Sequence, residues 1–231
     1  MILPFALACL VTAHADAIPL HLRAEAATDV PWDVGGRVVL EGPARLRLSA
    51  AAGTMPRTYV RMINETVIYF DGYDREAASI VEDALASSLV LRTHVGWRPL
   101  PRQGLYLQGG YGLVTLGGGV SAGFVLSEAL DFRIPEWMLE GYEFDVVSSL
   151  HMVEGEVGWE GRIWRGLVWR AALGGTWTLD ARTTIAPNFD AWLLDAWITG
   201  WCNESAGKLD EKYESFVRIP LATVGLGWRF F

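Results

Sequence analysis

Phe216-Val-Arg-Ile-Pro-Leu-Ala-Thr-Val-Gly-Leu-Gly-Trp-Arg-Phe-Phe231 closes the sequence and decides how the rest is read. Val224, Leu226, Trp228 and Phe230 recur at every second position, with Thr223, Gly225, Gly227 and Arg229 between them. Successive side chains of a strand point to opposite faces, so this is a strand with one apolar face and one small or polar face. Such a strand lies half-buried against either a protein core or lipid.

The alternation continues upstream and predicts eight strands. The others run from Ile18 to Thr28, Val34 to Glu41, Arg45 to Ala52, Leu89 to Arg98, Leu105 to Val120, Val146 to Trp164 and Leu167 to Thr184. Gly42-Pro43-Ala44, Pro99 to Gly104 and Arg165-Gly166 supply tight turns. The connections after the third, fifth and seventh strands are long, and the one after the first is short. Helical spacing predicts short helices near Tyr59 to Val67, after Asp74 (Ile80, Val81, Ala84, Leu85) and over Asp190 to Trp201.

A terminal aromatic preceded by alternate apolar residues resembles the closing strand of bacterial outer-membrane β-barrels, with Val224, Leu226, Trp228 and Phe230 in the matching positions and Phe231 as an extra residue. The resemblance implies an all-β fold, an eight-stranded antiparallel transmembrane up-and-down barrel similar to the small OmpA/OmpX-type barrels, with short helices in outer loops. It implies a bacterial outer-membrane address and a C-terminal strand read by the barrel-assembly machinery. Short turns alternating with long loops and an even strand number agree with that architecture. Trp97, Tyr106, Trp159, Trp164, Trp169, Trp228 and Phe230 fall near the predicted periplasmic ends, where amphipathic rings form a girdle at a membrane interface.

If the apolar faces meet lipid, the remaining faces point inward. They carry His21, Arg23, Glu25, Arg37, Glu41, Arg45, Arg47, Arg92, His94, Arg98, Glu154, Glu156, Glu160, Arg162, Arg170 and Arg229. The interior of an eight-stranded barrel is only wide enough for side chains, which predicts a packed lumenal Arg–Glu network. Gly110 and Gly112 are expected opposite His94 and Arg92, Glu41 opposite Arg45, and Glu160 diagonal to Arg170. Alternation alone cannot say which face is out, and the inverted assignment is a secreted, lipocalin-like barrel with an apolar pocket.

The totals bound the rest. A length of 231 residues suits one large β domain, and 51% hydrophobic residues without a long apolar run is what interleaved lipid-facing and lumenal positions leave. The net charge of −8 argues against nucleic acid. Residues 1–17 read as a signal peptide, with small residues at Ala13, Ala15 and Ala17, leaving residues 18–231 as the barrel domain and Cys202 as a lone thiol in a loop.

The expected partner is outer-membrane lipid, the expected state a monomer, and neither a cofactor nor a metal is implied. Three roles follow: a scaffold for surface interaction through its loops, a narrow solute pore, or a lipid-modifying enzyme. Only Ser149-Leu150-His151 hints at the last. It resembles, in reversed order, the His-x-Ser pair of lipid A deacylases, with no carboxylate assured beside it.

Overall fold

The computed structural model describes residues 20–69, 82, 88–120, 144–187, 195–216 and 218–230. Its strands are β1 His21–Val30, β2 Asp33–Glu41, β3 Leu46–Thr54, β4 Leu89–Leu100, β5 Leu105–Val120, β6 Phe144–Trp164, β7 Leu167–Pro187 and β8 Arg218–Arg229. They close into one antiparallel barrel in chain order, with β1 hydrogen-bonded to β8.

Several strand ends differ from expectation by a few residues, and two of them show the reasons, which are pairing and backbone. β1 continues through Asp29 and Val30 because these pair with Thr223 and Ala222 of β8. β3 begins at Leu46 rather than Arg45, because Ala44 and Arg45 carry φ of 58° and 65° in a tight turn and cannot extend the ladder. At the β4–β5 turn, Gly104 has φ +75°, and a Cβ there would lie 1.9 Å from the carbonyl oxygen of Glu160. Only glycine fits that turn.

The β2–β3, β4–β5 and β6–β7 turns lie together at one end of the barrel, its short-turn end, while the short β1–β2 turn lies at the other end with the long connections. At the other end the β3–β4 connection carries helix α1 (Arg57–Tyr69), and the β7–β8 connection carries α2 (Asp195–Phe216). The first contains the Tyr59 to Val67 expectation. The second meets the expectation of Asp190 to Trp201 over its last seven residues and runs on to Phe216, just before β8, while residues 190–194 lie outside those described. Of the helix expected after Asp74, only Glu82 lies among the described residues, and it is helical.

The strands alternate cleanly in burial. Arg23, Glu25, Ala27 and Asp29 of β1 are buried, as are Arg92, His94 and Arg98 of β4 and Thr223 of β8. The intervening residues are exposed and apolar: Leu46 and Leu48 on β3, Leu91 and Val95 on β4, Leu173 and Leu179 on β7, Val224, Leu226 and Trp228 on β8.

Candidate functional site

Inside the barrel the charged residues form three tiers. The tier nearest the short turns centres on Glu160. Arg23 holds it through two guanidinium nitrogens at 2.5 and 2.8 Å, and Arg47 and Arg98 also pair with it. Arg98 reaches Glu41 at 3.1 Å. A fork of N–H donors matches a carboxylate in two directions at once, which is why arginine supplies the cations here.

The middle tier joins Arg170 to Glu25 at 3.0 Å and to Glu156 at 2.9 Å, with Arg37 at 3.6 Å from Glu156. Tyr106 donates its hydroxyl to Glu156, Gln108 donates its amide to it at 3.2 Å, and the Arg47 guanidinium sits 4.1 Å from the Tyr106 ring centroid. In the third tier Arg92 pairs with Asp29, with Asp33 at 2.7 Å and with Glu154 at 3.8 Å. His94 Nε2 lies 2.7 Å from the same Glu154, and Thr223 donates its hydroxyl to Asp29.

Glycines make room for these side chains. Gly110 and Gly112 stand opposite His94 and Arg92, as expected. A Cβ at Gly110 would lie 2.5 Å from the His94 ring, and one at Gly112 would lie 2.7 Å from Glu154 Oε1.

Beyond the third tier the lumen becomes apolar. Trp32, Met55, Val60, Val90, Val114, Leu150, Met152, Ala181 and Leu221 form one buried cluster, with Tyr59 and Tyr213 packed against it. Thus α1 (Tyr59, Val60) and α2 (Tyr213) close the long-loop end. Tyr59 shares a hydrogen bond with Thr28, and Glu214 accepts the backbone N–H of Ala181 at 3.4 Å. Burial pushes the Tyr213 hydroxyl pKa up.

Several expectations need correction. Arg45 is exposed in its turn and donates to the Pro99 carbonyl at 3.1 Å; Glu41 faces Arg47 instead. Arg162 is exposed at the short-turn rim and Arg229 half-buried there, because both sit where their strands end and the lumen opens to water. His21 is likewise half-buried at that rim. Tyr106 points into the lumen and is fully buried, since it shares strand parity with Gln108 and Gly110 rather than with Leu107. Glu160 lies directly opposite Arg170, not diagonal to it. Cys202 is buried in α2 rather than placed in a loop, and burial raises its thiol pKa.

The sequence reading also missed functional members of the lumen. Asp29 and Asp33 flank the β1–β2 turn, where a carboxylate reads as turn chemistry, and Tyr106 reads as a girdle aromatic. Strand parity extended through the turn was the only signal available for them. The apolar plug was missed because its residues share a face with charged ones: Val90 with Arg92, Leu150 and Met152 with Glu154.

The outer face of β6 carries Ser149 and His151, both half-buried. His151 Nδ1 hydrogen-bonds the Tyr111 hydroxyl, and Asp180, its register partner on β7, is ion-paired with Arg182 at 3.2 Å. No carboxylate orients the imidazole among the described residues, so the parts of a nucleophilic triad are near one another but not assembled.

The decisive contrast is between the two faces of the wall. Arg37, Arg47 and Arg170 are at most 2% exposed, while Val95, Leu173 and Val224 are 62, 63 and 59% exposed. Buried arginines behind a continuous belt of bare Leu, Val and Trp reverse the order of a water-soluble protein, and a belt of that extent needs hydrocarbon around it. The chain is a transmembrane β-barrel. The lipocalin-like inversion is excluded, because the apolar rows converge on nothing.

No family model matches the sequence, and no curated protein matches it. Among solved structures it is similar to CarO of Acinetobacter baumannii (14% identity, TM-score 0.38, covering 91% of this chain and 97% of that one). It is also similar to a major outer membrane protein of Thermus thermophilus (13%, TM-score 0.47, 91% and 98%). A third is the N-terminal β-barrel domain of Pseudomonas aeruginosa OprF (9%, TM-score 0.40, 91% and 96%). At such low identity and with TM-scores below 0.5, the barrel's own topology and wall remain the ground for the fold.

Proposed function

We propose that this barrel resides in the bacterial outer membrane as a non-conducting scaffold that carries α1 and α2 at its long-loop end for surface interaction. The observation that carries this reading is the filled lumen: three ionic tiers and an apolar plug occupy the interior, and two helices close one end. A conducting path needs a continuous file of water, and buried guanidiniums locked between carboxylates on opposite walls oppose one. The outward row Val224, Leu226, Trp228 and Phe230 serves as the assembly signal, and residues 1–17 are removed as a signal peptide.

Two measurements test the proposal. The unheated protein should migrate differently from the boiled one on a denaturing gel, as a closed barrel that resists cold detergent does. In planar bilayers the folded protein should give flat current traces at all voltages. Unitary current steps would replace the scaffold with a narrow solute pore.

A further inference from the structure

We infer that the short-turn rim of the barrel is a docking surface for anionic phospholipid headgroups. The inference rests on the transmembrane reading and adds a lipid preference to it. Each of the three turns at this end presents an exposed arginine: Arg45 between β2 and β3, Arg102 between β4 and β5, and Arg165 between β6 and β7. Arg162 is exposed and Arg229 half-buried at the same level.

No exposed carboxylate accompanies them among the described residues. Glu41 and Glu160, the acids nearest this end, are turned into the lumen and bound to Arg98. The opposite end differs in kind. There exposed Arg61, Lys208 and Arg182 sit beside acids: Arg61–Glu82 at 2.8 Å, Lys208–Glu204 at 2.8 Å and Arg182–Asp180 at 3.2 Å. In a chain with a net charge of −8, the exposed charges at this end are thus all cations among the described residues.

The level of these guanidiniums points to lipid rather than to a soluble acidic partner. Trp97, Trp159, Trp169 and Trp228 are exposed on the outer wall just inside the turns, which marks the headgroup boundary. Trp164 is 63% exposed on that wall, and the Arg165 guanidinium lies 5.4 Å from its ring centroid. An arginine stacked on a lipid-facing indole holds its charge at the height of the phosphates, and its planar fork suits a phosphodiester. The arginines ring the circumference that lipids occupy from all sides.

Spin-labelled lipids test this directly. The full barrel is reconstituted in phosphatidylcholine bilayers, and the motionally restricted fraction is compared for labelled phosphatidylglycerol and labelled phosphatidylcholine. A preference for phosphatidylglycerol on the order of two- to fivefold is expected at low ionic strength, the scale that a few surface arginines produce. It should collapse in high salt. It should also vanish in the Arg45→Gln/Arg102→Gln/Arg165→Gln variant, and fall in Arg102→Gln alone, with the gel shift of the folded barrel retained. Equal restricted fractions for both lipids, or a preference that survives the triple substitution, overturn the inference and leave the transmembrane barrel standing. A spectrum without any restricted component removes the transmembrane reading itself.

Discussion

Glu160 and Arg170 face one another in the β6–β7 register, yet neither is the other's ion-pair partner among the described residues. Glu160 binds Arg23, Arg47 and Arg98 from β1, β3 and β4, while Arg170 binds Glu25 of β1 and Glu156 of its neighbour β6. Register sets where backbones meet, but a guanidinium on a long stem reaches past its opposite number. The result is a set of ties across the lumen that hold the barrel closed from within.

Loss of the Glu160 carboxylate should therefore cost more than loss of any single arginine. Glu160→Gln keeps the volume but removes the charge that three buried guanidiniums share, of which Arg23 retains Glu25 and Arg98 retains Glu41, and removing one partner of a buried pair costs about 3–5 kcal/mol. Tryptophan fluorescence during urea unfolding in liposomes should show a clear fall in midpoint. An unchanged midpoint would mean that water reaches these charges and the tier is not packed.

The lipid-facing wall gives the converse test, in which a charge is added rather than removed. Leu173 is 63% exposed between Trp169 and Trp177, near the middle of the apolar band. Leu173→Arg should lower the stability of the membrane-folded barrel by about 2–4 kcal/mol, the midplane cost of a charge on this face. In a water-soluble barrel the same change at so exposed a position would be neutral.

Adjacent glycines on β5 separate lumen from wall. A Cβ at Gly110 would meet the Thr93 carbonyl oxygen at 2.3 Å, whereas one at Gly109 would find its nearest atom at 3.6 Å. Gly110→Ala should destabilise by about 1–3 kcal/mol through overpacking, and Gly109→Ala should be tolerated. The fraction of protein showing the folded gel shift after refolding reports both, and equal behaviour would contradict the parity of this strand.

Ser149→Ala and His151→Ala should leave the lipid A profile of expressing cells unchanged, because the imidazole is spent on Tyr111 and Asp180 on Arg182. A lipid change in cells carrying the wild type that disappears in Ser149→Ala would reinstate the enzyme.

What the amino-acid order determined alone was local. Period-two alternation located the strands, glycine and proline marked the short turns, and the position of His94 and Arg92 against Gly110 and Gly112 followed from counting back across one turn. These properties depend on neighbours a few residues away or one hairpin away, where the chain constrains geometry directly. Partner choice in the lumen did not, because Arg23 meets Glu160 across 137 positions of sequence and only barrel closure brings them together. The same closure turned Tyr106 inward and gathered Val90, Leu150 and Leu221 into a plug beneath α1 and α2. It also left Arg45 and Arg162 at a rim that water can reach. Alternation names two faces; the closed ring decides which is inside, and how far along its axis charge gives way to an apolar core.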